Sequence, residues 1–240
     1  MLLELEAVTR RFGGLTAVSA VSFAVSEGDV VGLIGPNGAG KTTLFNVIAG
    51  ALPPSSGHIR FAGTDITGER PHRICQQGLA RTFQIVKPFG NLSVIDNVLI
   101  GAFTRVRERD AAYAEAERAL EVSGLARWRD AVARSLPIGL RKRLEVARSL
   151  ATRPRLLLLD EAMNGLNPTE LGEMMALIRR LNSAGISILL IEHVMAAVMN
   201  LCSRIVVIHH GEKIAEGPPH EIARDPRVID AYLGEAYLIE

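Results

Sequence analysis

The sequence predicts an α/β fold with a mixed β-sheet at its core, a smaller antiparallel β subdomain and an inserted α-helical subdomain. Two apolar runs, at residues 30–34 and 156–159, are typical of short buried strands, and the unbroken second run suits a parallel strand covered on both faces. The first run leads through a glycine-rich turn into apolar residues with helical spacing. Residues 93–150 have helical character and no strand signals, which predicts the helical insertion.

Composition limits the possible classes of protein. With 240 residues the chain is long enough for one large domain or two small ones. Its 27 basic and 26 acidic residues nearly balance, so no overall field points to nucleic acid as a partner. No apolar stretch approaches the roughly 18 residues that cross a bilayer, and the N-terminus carries acids where a signal peptide carries bases. Cys75 and Cys202 fit no metal-ligand or redox spacing. We therefore expect a cytosolic protein that would need a partner for any membrane role.

The N-terminal segment alternates apolar and polar residues, which predicts half-buried antiparallel strands. Between them, the turn at residues 10–14 places Phe12 beside two glycines. An exposed ring at such a turn can stack on adenine, because flat aromatic faces favour stacking. Taken alone, Phe12 also fits a hydrophobic plug.

The stretch after the first buried strand reads GPNGAGKTT and fits the pattern G-x-x-x-x-G-K-[ST] of a P-loop. Its glycines let the backbone approach phosphate oxygens, and its N–H groups and the positive end of the next helix face the anion together. Lys41 is expected to reach the β- and γ-phosphates, and the Thr42 hydroxyl to bind Mg²⁺. The predicted phosphate-binding residues are Gly35, Pro36, Asn37, Gly38, Ala39, Gly40, Lys41, Thr42 and Thr43. The core is therefore expected to be that of a P-loop NTPase.

The middle of the chain separates the P-loop from the second buried strand. A strand is predicted to end at Gln84, and a sharp break at residues 88–92 leads into the helical segment. We therefore treat residues 1–240 as a single domain made of two parts. Residues 1–87 and 151–240 form a core with the antiparallel β subdomain, and residues 88–150 form the helical subdomain.

Two carboxylates stand at the end of the second buried strand, where open α/β sheets bind their ligands. Asp160 would hold Mg²⁺ through its water shell, as the metal-side carboxylate of P-loop NTPases does. Glu161 would orient and polarise a water that attacks the γ-phosphate. Acidic residues at a strand end can also cap the next helix, but the presence of a P-loop in the same chain makes this alternative weak. A later strand ends at His193, which by itself also fits a structural role, and the C-terminal Tyr232, Leu233, Tyr237 and Leu238 are expected to pack on the core.

The order of these features resembles the nucleotide-binding domain of ABC transporters over essentially the whole chain. The resemblance implies that ATP and Mg²⁺ bind here and that Phe12 stacks on adenine. It implies that Gln84 touches Mg²⁺ and the attacking water and signals to a transmembrane partner. It makes Asp160 the metal-side carboxylate, Glu161 the catalytic base, and His193 the switch histidine that contacts the γ-phosphate. Two such domains would pair head to tail and enclose each ATP between one P-loop and the other subunit's signature loop.

The signature loop departs from the family's Leu-Ser-Gly-Gly-Gln, because the chain has Leu-Pro-Ile-Gly-Leu at residues 136–140. Pro137 replaces the serine that would bond the partner's γ-phosphate, and a lost hydroxyl contact to a charged oxygen costs about 1.5–3 kcal/mol. Gly139 and the helix N-terminus remain, so their backbone contribution can persist. Either ATP-driven closure is weakened, or the subunit pairs with a different ATPase that has an intact signature. Asn167 stands where the family's dimer-spanning loop carries Asp.

Two stretches, residues 80–89 and 225–234, resemble one of the two ATPase subunits of branched-chain amino acid importers. Related importers of urea, short amides and aromatic acids share them, so the solute stays open. The resemblance implies a second ABC ATPase subunit (identical or different), two transmembrane permeases, an indirect periplasmic solute-binding protein, and no nucleic acid. It implies a peripheral position on the cytoplasmic face of the inner membrane. The alternatives are an ABC exporter ATPase of the lipopolysaccharide-export type and a soluble ABC ATPase.

Overall fold

The computed structural model describes residues 1–82 and 88–236, with the backbone alone for residues 233–236. Within these residues the chain alternates strands and helices. The strands are β1 Leu3–Phe12, β2 Leu15–Val25, β3 Val30–Ile34, β4 Ser56–Phe61, β5 Thr64–Asp65, β6 Leu79–Arg81, β7 Leu156–Asp160, β8 Ser187–Ile191, β9 Arg204–His209 and β10 Glu212–Gly217. The helices are α1 Lys41–Ile48, α2 Pro71–Gln77, α3 Val94–Ala102, α4 Arg109–Val122, α5 Ile138–Leu150, α6 Pro168–Ser183, α7 Met195–Leu201, α8 Pro219–Ile222 and α9 Pro226–Ala236.

The main sheet has the strand order β10-β9-β3-β8-β7-β6. The strands from β9 to β6 pair in parallel, and β10 closes one edge as the antiparallel arm of a hairpin. Every residue of β3, β7 and β8 is buried, which explains their unbroken apolar sequences, because both faces of the sheet are covered.

A second sheet, in the order β2-β1-β4-β5, is antiparallel throughout. Its inward side chains share one hydrophobic cluster with α1 and with one face of β3, β7 and β8. The N-terminal antiparallel strands are thus found as the sequence predicts.

The stretch between β6 and β7 carries α3, α4 and α5, which pack on one another and share a hydrophobic cluster with the opposite face of the main sheet. Helical spacing therefore predicts this region well, although an isolated bridge also joins Ser93 to Val132. The exact division of the chain at residues 87 and 150 stays a prediction.

The end of β6 and the C-terminal helix differ in detail from the sequence prediction. The strand expected to end at Gln84 is β6, which ends at Arg81, and Gln84 itself lies outside the described residues. Of the C-terminal residues expected to pack on the core, Tyr232 is partly exposed, whereas Val228 and Ala231 provide the buried face of α9. The side chain of Leu233, and Tyr237 and Leu238, lie outside the described part. No helix within the described residues is long and apolar enough to cross a membrane.

Candidate functional site

The strands β3, β8 and β7 end at the same edge of the main sheet. In the parallel register Leu33 pairs with Ile191, and Ile191 pairs with Asp160. The loop after β3, the residues after Asp160 and those after Ile191 therefore leave the sheet side by side. This edge is where open parallel sheets place their ligands.

The P-loop connects β3 to α1. The residue before α1 is Gly40, which has a φ of +103° and offers no side-chain cap, so the first amides of α1 are left for another acceptor. A Cβ on Gly40 would lie 2.3 Å from the carbonyl oxygen of Ala17 on β2, so only glycine fits. Lys41 is buried, and its Nζ donates to the carbonyl oxygens of Gly35 and Pro36 at 2.7 Å. The ammonium group is thus folded over the loop that would hold phosphates.

Phe12 lies at the end of β1 and is 42% exposed. The guanidinium carbon of Arg10 lies 4.6 Å from the centre of its ring, which holds the ring at the surface. Phe12 is not a hydrophobic plug. The next strand, β2, reaches the P-loop through the contact between Ala17 and Gly40.

Asp160 is the last residue of β7, and its side chain is fully buried. Its Oδ2 accepts a hydrogen bond from Arg81 at 2.9 Å, whereas its Oδ1 is buried without a partner among the described residues. Burial raises the pKa of this carboxyl, and the positive charges of Arg81 and Lys41 oppose that rise. A buried carboxylate oxygen with no donor suits a divalent cation.

Arg81 is a site residue that the sequence does not reveal. Its side chain is 9% exposed, and it donates through Nη2 to Asp160 and through Nη1 to Asn46 Oδ1 at 2.6 Å. Asn46 belongs to α1, the helix that follows the P-loop. Arg81 therefore ties the Asp160 carboxylate to the P-loop helix.

Glu161 follows Asp160 and has a φ of +50°, a backbone conformation that residues other than glycine rarely adopt. Its Oε1 lies 3.1 Å from Nε2 of His193, and its Oε2 accepts from the side-chain amide of Asn164 at 3.3 Å. The structure thus brings together two residues, Glu161 and His193, that the sequence places at the ends of different strands. Such local strain persists where neighbours determine the conformation, and it is common at active sites.

The loop that carries Glu161 is also held by two buried ionisable side chains that sequence reasoning missed. Lys142 of α5 donates from Nζ to the carbonyl oxygen of Glu161 at 2.9 Å. Glu192, which follows β8, accepts from the backbone amide of Met163 at 2.7 Å, while its Oε2 is buried without a partner among the described residues. The Cys202 thiol also lies near Glu192, and burial raises its pKa to about 12, so the thiol stays protonated.

Replacing Glu192 by Gln is expected to remove a pH dependence of stability. Burial and the charge of Glu161 raise the pKa of Glu192 to about 7, against the lowering effect of the Met163 and His193 amides and of Lys142. In the window from the ordinary pKa of 4.5 up to about 7, the folded protein keeps a proton that the unfolded chain has lost. The free energy of unfolding therefore falls as the pH rises through this window, by at most roughly 3 kcal/mol, and stays low above it.

The measurement is urea unfolding of both proteins between about pH 5 and about pH 7.5. Glu192→Gln is neutral at every pH and keeps an acceptor for the Met163 amide. It should therefore show a flatter profile and be the more stable protein at the upper end. Parallel profiles for the two proteins would contradict the buried, protonated state of Glu192.

The signature region begins α5. Pro137 is the N-cap and provides no side-chain cap, so the first amides of this helix also lack a side-chain partner. A Cβ on Gly139 would lie 2.5 Å from Oε1 of Glu170, so α5 and α6 approach closely here. Asn167 forms a reciprocal capping box with Glu170 at the start of α6, which gives this asparagine a structural reason.

A glycine-rich loop between a central parallel strand and a helix, with carboxylates at the ends of neighbouring strands, defines the class of P-loop nucleotide-binding proteins. Among the described residues, no group of three or more His, Cys, Asp or Glu side chains could hold a metal ion by itself. A cation here would therefore also need hydroxyl or phosphate oxygens.

Comparison with known proteins identifies the family. The model for ABC transporters matches residues 18–164, and the chain belongs to the ABC transporter family. A second model, named for branched-chain amino acid ATP-binding cassette transporters, matches residues 212–237. The resemblance stated from the sequence is thereby confirmed, and with it the expectation of an ATPase.

Individual relatives cover nearly the whole chain. The high-affinity branched-chain amino acid transport ATP-binding protein BraF of Pseudomonas aeruginosa is 41% identical over 98% of both chains. The lipopolysaccharide export system ATP-binding protein LptB of Acidithiobacillus ferridurans is 37% identical over 99% of both. A crystal structure of the ADP conformation of an ATP-binding cassette of an ABC transporter matches 97% of this chain and 98% of its own, with 32% identity and a TM-score of 0.89. These likenesses confirm the predicted fold class.

Proposed function

We propose that this chain is the ATP-binding and ATP-hydrolysing subunit of an importer of branched-chain or other hydrophobic amino acids, or of related small solutes. The observation that carries hydrolysis is the contact of Glu161 with His193, at 3.1 Å, on the sheet edge that also holds the P-loop. Support for the solute class comes from the relatives named for branched-chain amino acid transport and from the match at residues 212–237.

ATP binds with its triphosphate in the P-loop. The uncapped amides of α1 and the ammonium of Lys41 donate to the phosphate oxygens, and Lys41 exchanges its present carbonyl partners for them. The other predicted loop residues, Asn37, Gly38, Thr42 and Thr43, line the same turn and the first turn of the helix. Adenine stacks on the exposed ring of Phe12, which also contacts the guanidinium group of Arg10.

Thr42, Gln84 and Asp160 would hold Mg²⁺. The buried Oδ1 of Asp160, which has no other partner among the described residues, fits this role. A bound Mg²⁺ would neutralise charge that develops on the β- and γ-phosphate oxygens during the transfer. Arg81 meanwhile fixes the second oxygen of Asp160 and so orients the carboxylate.

Glu161 acts as the general base. It takes a proton from a water molecule, the water oxygen bonds to the γ-phosphorus, and the bond from that phosphorus to the bridging oxygen of ADP breaks. His193 contacts the carboxylate at 3.1 Å and orients it, and it would turn towards the γ-phosphate when ATP is bound. Gln84 orients the attacking water.

The active form is a pair of ATPase subunits. Each ATP lies between one P-loop and the α5 N-terminus of the other subunit, where Gly139 and the uncapped amides face the γ-phosphate. Pro137 and Leu140 remove the usual serine and glutamine, so either closure of two identical copies is weaker or the second subunit is a different ATPase.

Permeases dock on a groove of about 320 Å³ between the core and the helical segment. The groove is lined by residues of α2, α3 and α5, among them the exposed Ile100 of α3. An exposed apolar surface of this kind favours a protein partner. The chain would thus lie on the cytoplasmic face of the inner membrane and meet a periplasmic solute-binding protein only through the permeases.

An exporter ATPase of the lipopolysaccharide-export type is the second candidate, favoured by the 37% identity to LptB over 99% of both chains. Purification of the tagged chain from its own cells separates the two. An importer subunit should bring down permeases, and in vesicles with a solute-binding protein its ATPase rate should rise when branched-chain amino acids are added. A rate that ignores these solutes but rises with lipopolysaccharide would favour export, and no hydrolysis in any complex would reject both.

A further inference from the structure

Lys142 stands out because it is a lysine on the buried face of an amphipathic helix. It is the fifth residue of α5 and is 7% exposed, whereas lysine is almost never buried without a partner. Its Nζ donates to the carbonyl oxygen of Glu161 at 2.9 Å. A single charged group on the signature helix therefore contacts the backbone of the proposed general base.

The contact matters because its acceptor, the Glu161 carbonyl, belongs to a residue with an unusual backbone conformation. Glu161 has a φ of +50°, and a residue in this region keeps its conformation only when its neighbours impose it. Its amide donates to Ile191 at 2.9 Å, and its carbonyl accepts from Lys142. The two peptide groups that flank the strained residue are thus fixed from different elements, β8 and α5.

Nearby carboxylates partly offset the effect of burial on the Lys142 ammonium group. Burial lowers the pKa of Lys142, and the nearby charges of Glu192 and Glu161 raise it. Glu192 in turn accepts from the amide of Met163, two residues after Glu161. A buried base and a buried acid therefore clamp the two sides of the same short loop.

We propose that Lys142 is a positioning residue, which sets the backbone of Glu161 from α5 and so places the general base for hydrolysis. The proposal rests on the proposed function for its catalytic consequence. Lys142 lies about 6 Å along the helix axis from the first residue of α5. Because a helix moves as a rigid rod over this distance, a displacement of the signature end reaches Glu161 through Lys142.

The test compares Lys142→Met with Arg143→Met in the full chain. Methionine keeps the length of lysine but donates no hydrogen bond. Arg143, the next residue on the same helix, is paired with Glu173 of α6 and makes no contact with Glu161, so it is a matched control. The first readout needs no nucleotide: amide hydrogen exchange of peptides covering residues 157–164. The second is the ATPase rate together with the Kd for ATP, and thermal melting shows that each variant is folded.

In Lys142→Met we expect faster exchange at residues 161–164 and a kcat lower by at least about tenfold, with the Kd for ATP unchanged. Arg143→Met should leave the exchange of this loop and the kcat unchanged, and Lys142→Arg should restore part of both. Unchanged exchange in Lys142→Met, or faster exchange without any fall in kcat, would overturn the proposal. A parent protein that fails to hydrolyse ATP would refute the proposed function, while the exchange data would still decide whether Lys142 holds the loop.

Discussion

Glu161→Gln is expected to lower ATP turnover by on the order of 10²–10⁴ while ATP binding stays intact. Glutamine has the shape of glutamate, so its amide oxygen can still accept from the Asn164 side chain while its NH2 group faces Nε2 of His193, and the backbone at φ +50° need not change. It cannot take a proton from the attacking water. The measurement is phosphate release at saturating Mg-ATP, beside equilibrium binding of ATP.

A matched control uses the same chemical change far from the site. Glu117→Gln alters a carboxylate on α4 that pairs with Arg129 at the surface, so both turnover and binding should stay at the parent level. If Glu161→Gln released phosphate at an unimpaired rate, Glu161 would not be the general base. If it lost ATP binding as well, the carboxylate would have a role in holding the nucleotide that its position does not predict.

The segment around the P-loop is predictable from the sequence because its information is local. The strand, the glycine turn and the helix follow one another within residues 30–48, and the pattern predicts which side chain would face the phosphates. Asp160 and Glu161 are predictable for the same reason, since they directly end an unbroken apolar strand. A function can be proposed for Phe12 and His193 only through the family resemblance, because a single aromatic or imidazole side chain occurs in many structural and functional roles.

Arg81, Lys142 and Glu192 are different, because their roles come from partners far away in the sequence. Arg81 pairs with Asp160, which lies 79 residues further along the chain. This pairing depends on β6 lying beside β7, and no local sequence pattern predicts that strand order. The sequence does contain a signal for Lys142 and Glu192. Lys142 interrupts the buried apolar face of α5, and Glu192 directly follows an apolar strand. Such a polar residue in an apolar pattern indicates burial with a partner, but not which partner.

Asn167 shows how a departure from a family pattern can have a local cause. The sequence identifies it as a change in the dimer-spanning loop, where the family carries Asp. The structure adds the capping box with Glu170, and both Asn and Asp cap helices well. The replacement of Asp by Asn therefore has little effect on the stability of α6, independently of its effect on contacts between subunits.

Arg81→Met is expected to destabilise the protein by about 3–5 kcal/mol. Its guanidinium is the partner of the fully buried Asp160 carboxylate at 2.9 Å, and Oδ1 of that carboxylate already lacks a partner among the described residues. Methionine fills a similar volume but leaves the buried carboxylate without its ion-pair partner, which costs far more than the pair itself contributes. The measurement is urea unfolding without nucleotide, so that ligand binding does not add to the stability.

Two comparisons decide whether burial is the cause. Arg155→Met breaks an ion pair with Glu27 in which both side chains are more than half exposed, and it should cost no more than about 1 kcal/mol. In the double variant Arg81→Met with Asp160→Leu, neither charge of the pair is left and β7 becomes a wholly apolar strand, so the double variant should be more stable than Arg81→Met alone. Additive losses in the double variant would mean that Arg81 stabilises the fold through Asn46 and its packing on Phe45, and not through the charge of Asp160.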